Sequence, residues 1–188
     1  MSPLQIAGIL LVAGTLSFWL GAALPTWRVY VTADPDVRAQ LITDLRRYWV
    51  LSHLLFLAGV IAVAVGLGVF SGTVAPDARP LAIIGLTVIV LASVVWAYIV
   101  FAFRLSMPPE QYVRTNAGAW AFPAYSLLTL GALILYGVVL LLTGYPTWLG
   151  IVTVGLSGLI LVAFLIQKDA IPALFYVATL IMGIAFLL

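Results

Sequence analysis

One histidine, His53, is the only side chain in this sequence whose unperturbed pKa lies near neutrality, and it shares a helical face with Arg46 and Trp49 (i, i+3, i+7). An imidazole beside a guanidinium suits a proton relay or a pH sensor. It equally suits a plain structural role, bonded to a neighbouring hydroxyl or carbonyl. The second candidate set is a group of arginines, Arg46, Arg47, Arg104 and Arg114, at the ends of apolar runs. Guanidinium makes paired hydrogen bonds to phosphate and carboxylate, so such a group can hold a lipid head group or an isoprenoid diphosphate. Together these residues define a candidate ligand or head-group site: Arg46, Arg47, Trp49, His53, Arg104 and Arg114.

Other chemistries are closed off. There is no cysteine, so thiol redox, disulfides and cysteine-ligated metal are excluded. A single histidine cannot make a bis-histidine haem, and no acidic or methionine partner is spaced to complete a metal site. The expectation is therefore no metal and no cofactor. The six carboxylates, Asp34, Asp36, Asp44, Asp77, Glu110 and Asp169, all fall outside the apolar runs, whereas ion-driven carriers commonly hold an acidic group or a broken helix at mid-bilayer. No phosphate loop, nucleophile elbow, zinc-protease helix or dinucleotide fingerprint occurs. A net charge of +2 spread over several loops is no nucleic-acid footprint.

The elements that must position these residues follow from composition. Of 188 residues 65% are hydrophobic and 7% charged, where a soluble domain carries roughly a quarter charged residues. The fitting solvent is a bilayer, and a span needs about 20 apolar residues. The pattern predicts an all-α polytopic membrane protein of one domain: six transmembrane helices over about 4–24, 48–70, 81–103, 117–142, 148–166 and 171–188. An amphipathic interfacial helix over about 34–47 precedes the second span without a break. Asp34 is its N-cap, Pro35 its first residue, and Val37, Leu41, Leu45 and Trp49 its apolar stripe. Asn116 is expected to cap the fourth span, with Pro123 kinking it or marking its start. Arg104 ends the third span and can reach the head groups. Trp96 and Tyr136 lie deepest in their spans and can line a cavity, while the other tryptophans and tyrosines read as interface anchors.

Small residues recur every seven positions in the first two spans, at Ala7, Gly14 and Gly21 and at Ser52, Gly59 and Gly66. Such stripes let helix backbones approach where lipid removes the hydrophobic drive, and the period favours a left-handed crossing. Loops one, three and five hold seven of the eight Lys and Arg residues, and only Arg79 falls on the other side. That bias places the protein in the cell (inner or plasma) membrane with both termini outside the cytoplasm.

The segment Gly144-Tyr145-Pro146-Thr147-Trp148-Leu149-Gly150 is a turn that launches a span on Trp-Leu-Gly. It resembles the loop found in several uncharacterised multi-pass membrane-protein families of bacteria. The resemblance implies the six-helix architecture and brings no activity and no site residues.

Two functions remain. One is a non-enzymatic integral membrane protein: a membrane-embedded partner, or a bundle that binds lipid or another hydrophobic ligand. Its partners would be the bilayer, with a membrane protein or a second copy of the chain as candidates. The alternative is a small-molecule or lipid transporter, or a lipid-handling enzyme, using the mouth around Arg46, Trp49, His53 and Arg114 and a cavity open to it.

Overall fold

Ser2 begins the first helix, α1 (Pro3–Ala23), with a capping box: its hydroxyl accepts from the Gln5 N–H and the Gln5 side chain accepts from the Ser2 N–H. α1 ends where Leu24 is held extended (ψ 154°), the conformation imposed on a residue that precedes proline. The computed structural model describes residues 1–167 and 172–188. A short helix α2 (Trp27–Val31) follows, then α3 (Pro35–Asp44), whose cap Asp34 accepts from the Asp36 and Val37 N–H groups. The long α4 (Arg46–Thr73) comes next. The entry into it is not continuous. Leu45 leaves the helical region (φ −98°, ψ 20°), so α3 and α4 are two rods joined at one residue.

Next come α5 (Arg79–Ile99), extended by a π turn (Val100–Arg104), and the short α6 (Pro109–Thr115). They are followed by α7 (Ala121–Leu142), α8 (Thr147–Gln167), a 3₁₀ turn (Pro172–Phe175) and α9 (Tyr176–Leu187). The fourth span starts at Ala121, not Ala117. Asn116 takes the left-handed conformation (φ 47°) that closes α6 instead of capping α7, and Pro123 sits in the first turn of α7. The Lys168–Asp169 turn lies outside the described residues.

Five long helices and the shorter α9 form a ring in chain order, α1–α4–α5–α7–α8–α9, and α9 closes back on α1. Five of them are long and apolar enough to cross a membrane. The last is shorter: four residues of 3₁₀ helix and twelve of α-helix rise about 26 Å, against ~30 Å of hydrocarbon. Aromatic side chains fill the ring. Phe18 stacks on Tyr176 at 4.3 Å between centroids, and Trp96 lies 4.4 Å from Tyr125. Trp96 and Tyr136 are both buried in this packing, and the Tyr136 hydroxyl is bonded to Ser71 Oγ (2.9 Å). Neither is among the residues that line the two grooves on the α4–α5 joint.

The tightest joint is α1 on α4. Gly21 opposes Ser52, Gly14 opposes Gly59 and Ala7 opposes Gly66, an antiparallel match along both rods. A Cβ added to Gly59 would lie 2.6 Å from the Gly14 carbonyl oxygen, so the backbones are in contact. Hydroxyls reinforce the joint, with Ser52 Oγ donating to the Gly21 carbonyl (2.8 Å) and Ser17 Oγ to the Leu55 carbonyl (2.9 Å).

Candidate functional site

The site forms where the first turns of α4 meet the last turn of α5. In the π turn the Leu105 N–H bonds back to the Val100 carbonyl (2.9 Å), which shifts the helix-end carbonyls out of the α-helical register. α4 supplies the caps. Trp49 Nε1 donates to the Arg104 carbonyl and Arg46 Nη2 to the Leu105 carbonyl, both at 2.9 Å. The shared face of Arg46, Trp49 and His53 is thus the face that docks on α5.

His53 is fully buried one turn deeper. Its Nδ1 lies 2.7 Å from the Trp49 carbonyl, and its Nε2 lies 3.2 Å from Arg104 Nη1 and 3.3 Å from the Tyr30 hydroxyl. Guanidinium has no acceptor, so Nε2 must accept and Nδ1 must carry the proton that goes to the carbonyl. The hydrogen-bond roles assign one tautomer to the ring, with both nitrogens engaged. His53 therefore points at Arg104 and not into lipid.

Arg104 turns inward as well. Its guanidinium carbon sits 5.1 Å from the centre of the Trp96 ring and 5.8 Å from that of Tyr30, within cation–π range. The side chain that the sequence sends towards the head groups folds back over the core instead. A helical side chain leans towards the N-terminus of its helix, which for α5 means into the bundle. Arg104 Nε is buried without a partner, and so is Arg38 Nε. Tyr30 joins these groups from α2. Although the residue is 45% exposed, its hydroxyl reaches the buried His53 ring. Desolvation holds that phenol above its ordinary pKa while Arg104 and, less strongly, Arg38 pull it down. It stays protonated near neutral pH.

The remaining candidates part company. Arg114 pairs with Asp36 (3.0 Å) in the only ion pair among the described residues, with both side chains mostly exposed. This pair ties α6 to α3 and leaves the Arg46–Trp49–His53–Arg104 group. Arg47 is exposed. Over the site, Val29, Ala39, Ile42, Trp49 and Val113 form a small core of their own, so α6 and α2 cover Ala39 and Ile42 of α3, while Val37 of the expected stripe stays 48% exposed. Sequence reasoning missed Tyr30, Arg38 and Tyr112. Tyr30 stacks on Trp49 at 5.9 Å between centroids, and Tyr112 tilts on it at 6.2 Å. Each reads locally as an anchor or a surface charge, and only the folding of α2, α3 and α6 over Trp49 gathers them.

Below the site Phe56 of α4 meets Trp96 of α5 inside the bundle, and the outer side of the joint is shallow and open. Two overlapping grooves, of about 450 and 280 Å³, share Ala64, Val65 and Val90 and open sideways along this seam. Neither includes His53 in its lining.

No family model matches the chain, and no curated protein and no solved structure matches it.

Proposed function

We infer that this chain is a non-enzymatic integral membrane protein whose bundle binds an anionic lipid head group at its arginine-rich end. The observation that carries the reading is the pair of buried, unpartnered guanidinium nitrogens, Arg38 Nε and Arg104 Nε. Arg38, Arg46 and Arg104 make no ion pair among the described residues. A buried N–H left unmet costs roughly 1–3 kcal/mol, more for a charged group. A phosphate oxygen meets it with a charge-assisted bond. Filled aromatic packing inside the ring favours binding at the rim over passage through it. The charge distribution supports an orientation in the cell (inner or plasma) membrane with both termini outside the cytoplasm. Arg28, Arg38, Arg46, Arg47, Arg104 and Arg114 lie in the connections at one end of the ring and Arg79 at the other, the bias expected of a cytoplasmic face. The exposed apolar outer faces leave room for lipid, a membrane-protein partner or a second copy.

Native mass spectrometry of the purified protein with phosphatidylglycerol and phosphatidylcholine tests this. The wild type retains phosphatidylglycerol selectively. Arg104→Gln weakens that retention about ten-fold, the equivalent of ~1.4 kcal/mol. Equal retention of both lipids, or no effect of Arg104→Gln in a folded protein, refutes the reading.

A further inference from the structure

The two buried guanidinium nitrogens without a partner belong to different parts of the molecule. Arg104 closes the π turn at the end of α5, in the ring of long helices, and Arg38 lies on α3, in the layer that covers that end of the ring. The layer is built as a unit. α3 packs on both α2 and α6, and the shared core is Val29, Ala39, Ile42 and Val113, with Trp49 the one buried side chain that the ring contributes. The Asp36–Arg114 pair joins α3 to α6 within the layer. Each passage of the chain between layer and ring breaks the helix. Leu24 is extended before Pro25, Leu45 leaves the helical region between α3 and α4, Pro108 is extended (ψ 138°) ahead of α6, and Asn116 is left-handed after it. What fastens the layer to the ring is slight. The Thr26 hydroxyl donates to Ser52 Oγ at 3.2 Å and the Tyr30 hydroxyl lies 3.3 Å from His53 Nε2, both long for hydroxyl bonds. No ion pair among the described residues crosses from one to the other. Tyr30 brings the two arginines together: the Arg104 guanidinium carbon is 5.8 Å from its ring, and the charges of Arg104 and Arg38 both act on its hydroxyl.

We propose that an anionic phospholipid acts here as a clamp, its phosphate bridging Arg38 of the covering layer to Arg104 of the ring and closing α3 and α6 over the end of the bundle. The proposal rests on the head-group reading above and adds what binding does. A phosphodiester carries two unesterified oxygens, one for each Nε–H, and a charge-assisted bond to each ties layer to ring. Without the anion, two like charges meet across the same gap with no carboxylate paired to either among the described residues, which works against closure. The layer therefore registers occupancy: it is held while the phosphate is bound and loosened when the phosphate leaves. That couples the anionic-lipid content of the membrane to the face that α3 and α6 present to the aqueous side.

Amide hydrogen exchange of the whole protein in nanodiscs, read by mass spectrometry, tests this. Nanodiscs of phosphatidylcholine alone are compared with nanodiscs that also contain phosphatidylglycerol, and with phosphatidylcholine nanodiscs in inorganic phosphate. The expected result is exchange in α3 and α6 slowed about ten-fold by phosphatidylglycerol, with α8 unchanged. Arg38→Gln and Arg104→Gln, each checked for wild-type helical content, return that rate to its phosphatidylcholine value, although Arg104 lies outside the slowed segments. Arg28→Gln, which removes an exposed charge from α2, keeps the protection. Equal exchange in the two lipids overturns the clamp, even where native mass spectrometry still shows Arg104-dependent retention and the head-group reading stands. Protection that survives both the Arg38 and the Arg104 variant is attraction to an anionic surface and overturns it too. Equal protection by inorganic phosphate overturns the lipid as the bridging group. Loss of selective retention in the mass spectra overturns the head-group reading itself.

Discussion

Helix α4 is joined to its two neighbours by opposite means. Against α1 it uses absence of side chains: Gly59 and Gly66 face Gly14 and Ala7, and the backbones meet. Against α5 it uses long polar side chains at one end and the ring contact of Phe56 on Trp96 within the bundle, and the outer side of the joint opens in a shallow groove. In lipid the hydrophobic effect does not push helices together, so close packing and interhelical hydrogen bonds must hold them. Towards α1 α4 relies on close packing reinforced by two hydroxyl bonds, and towards α5 on hydrogen bonds to the terminal carbonyls. The contrast separates a joint closed along its length from one whose outer side stays open.

The comparison can be broken most forcefully at Gly59. Gly59→Leu drives atoms into the Gly14 carbonyl and the Phe18 backbone, and the expected loss is about 3 kcal/mol. It is read as a lower midpoint in denaturing-detergent titration, and wild-type unfolding would mean that α1 and α4 are not in contact. Next in size is Trp49→Phe, which keeps a ring but deletes the donor to the Arg104 carbonyl and leaves a small void. About 1 kcal/mol is expected, with faster hydrogen exchange confined to the end of α5. Exchange spread evenly over the ring would show that Trp49 is ordinary core and not a pin. Ser52→Ala removes the hydroxyl bond to the Gly21 carbonyl and should cost about 0.6 kcal/mol, the mean for interhelical bonds in a membrane. The smallest effect belongs to the open side. Val90→Leu adds bulk to the groove and should change stability by less than ~0.5 kcal/mol, although it adds the same kind of apolar volume that is ruinous at Gly59. A loss as large as that of Gly59→Leu would close the groove as a feature of the fold.

Much of the framework is legible in the order of residues, because it depends on neighbours along the chain. Hydrophobic length announces the long helices, Asp34 and Pro35 announce the start of α3, and Leu24 before Pro25 announces the end of α1. The seven-residue spacing likewise puts Ala7, Gly14 and Gly21 on one stripe and Ser52, Gly59 and Gly66 on another. Local signals fail where two agree on the wrong thing. Asn116 is a good cap residue, yet it also tolerates the left-handed conformation, and the end of α6 claims it.

What the sequence determines alone is therefore an all-helical chain made for lipid, with arginines crowded towards one set of turns. The tertiary structure decides the rest: that the two small-residue stripes meet each other, that Arg104 folds in upon His53 and Trp96, and that Tyr30 and Arg38 come to it. It also decides that Arg114 leaves for Asp36 and that a shallow groove opens on the outer side of the α4–α5 joint. The physical reason is range. Periodicity and capping act within a few residues of one rod, whereas Arg104 and His53 are 51 residues apart in the chain and become neighbours only when the ring closes.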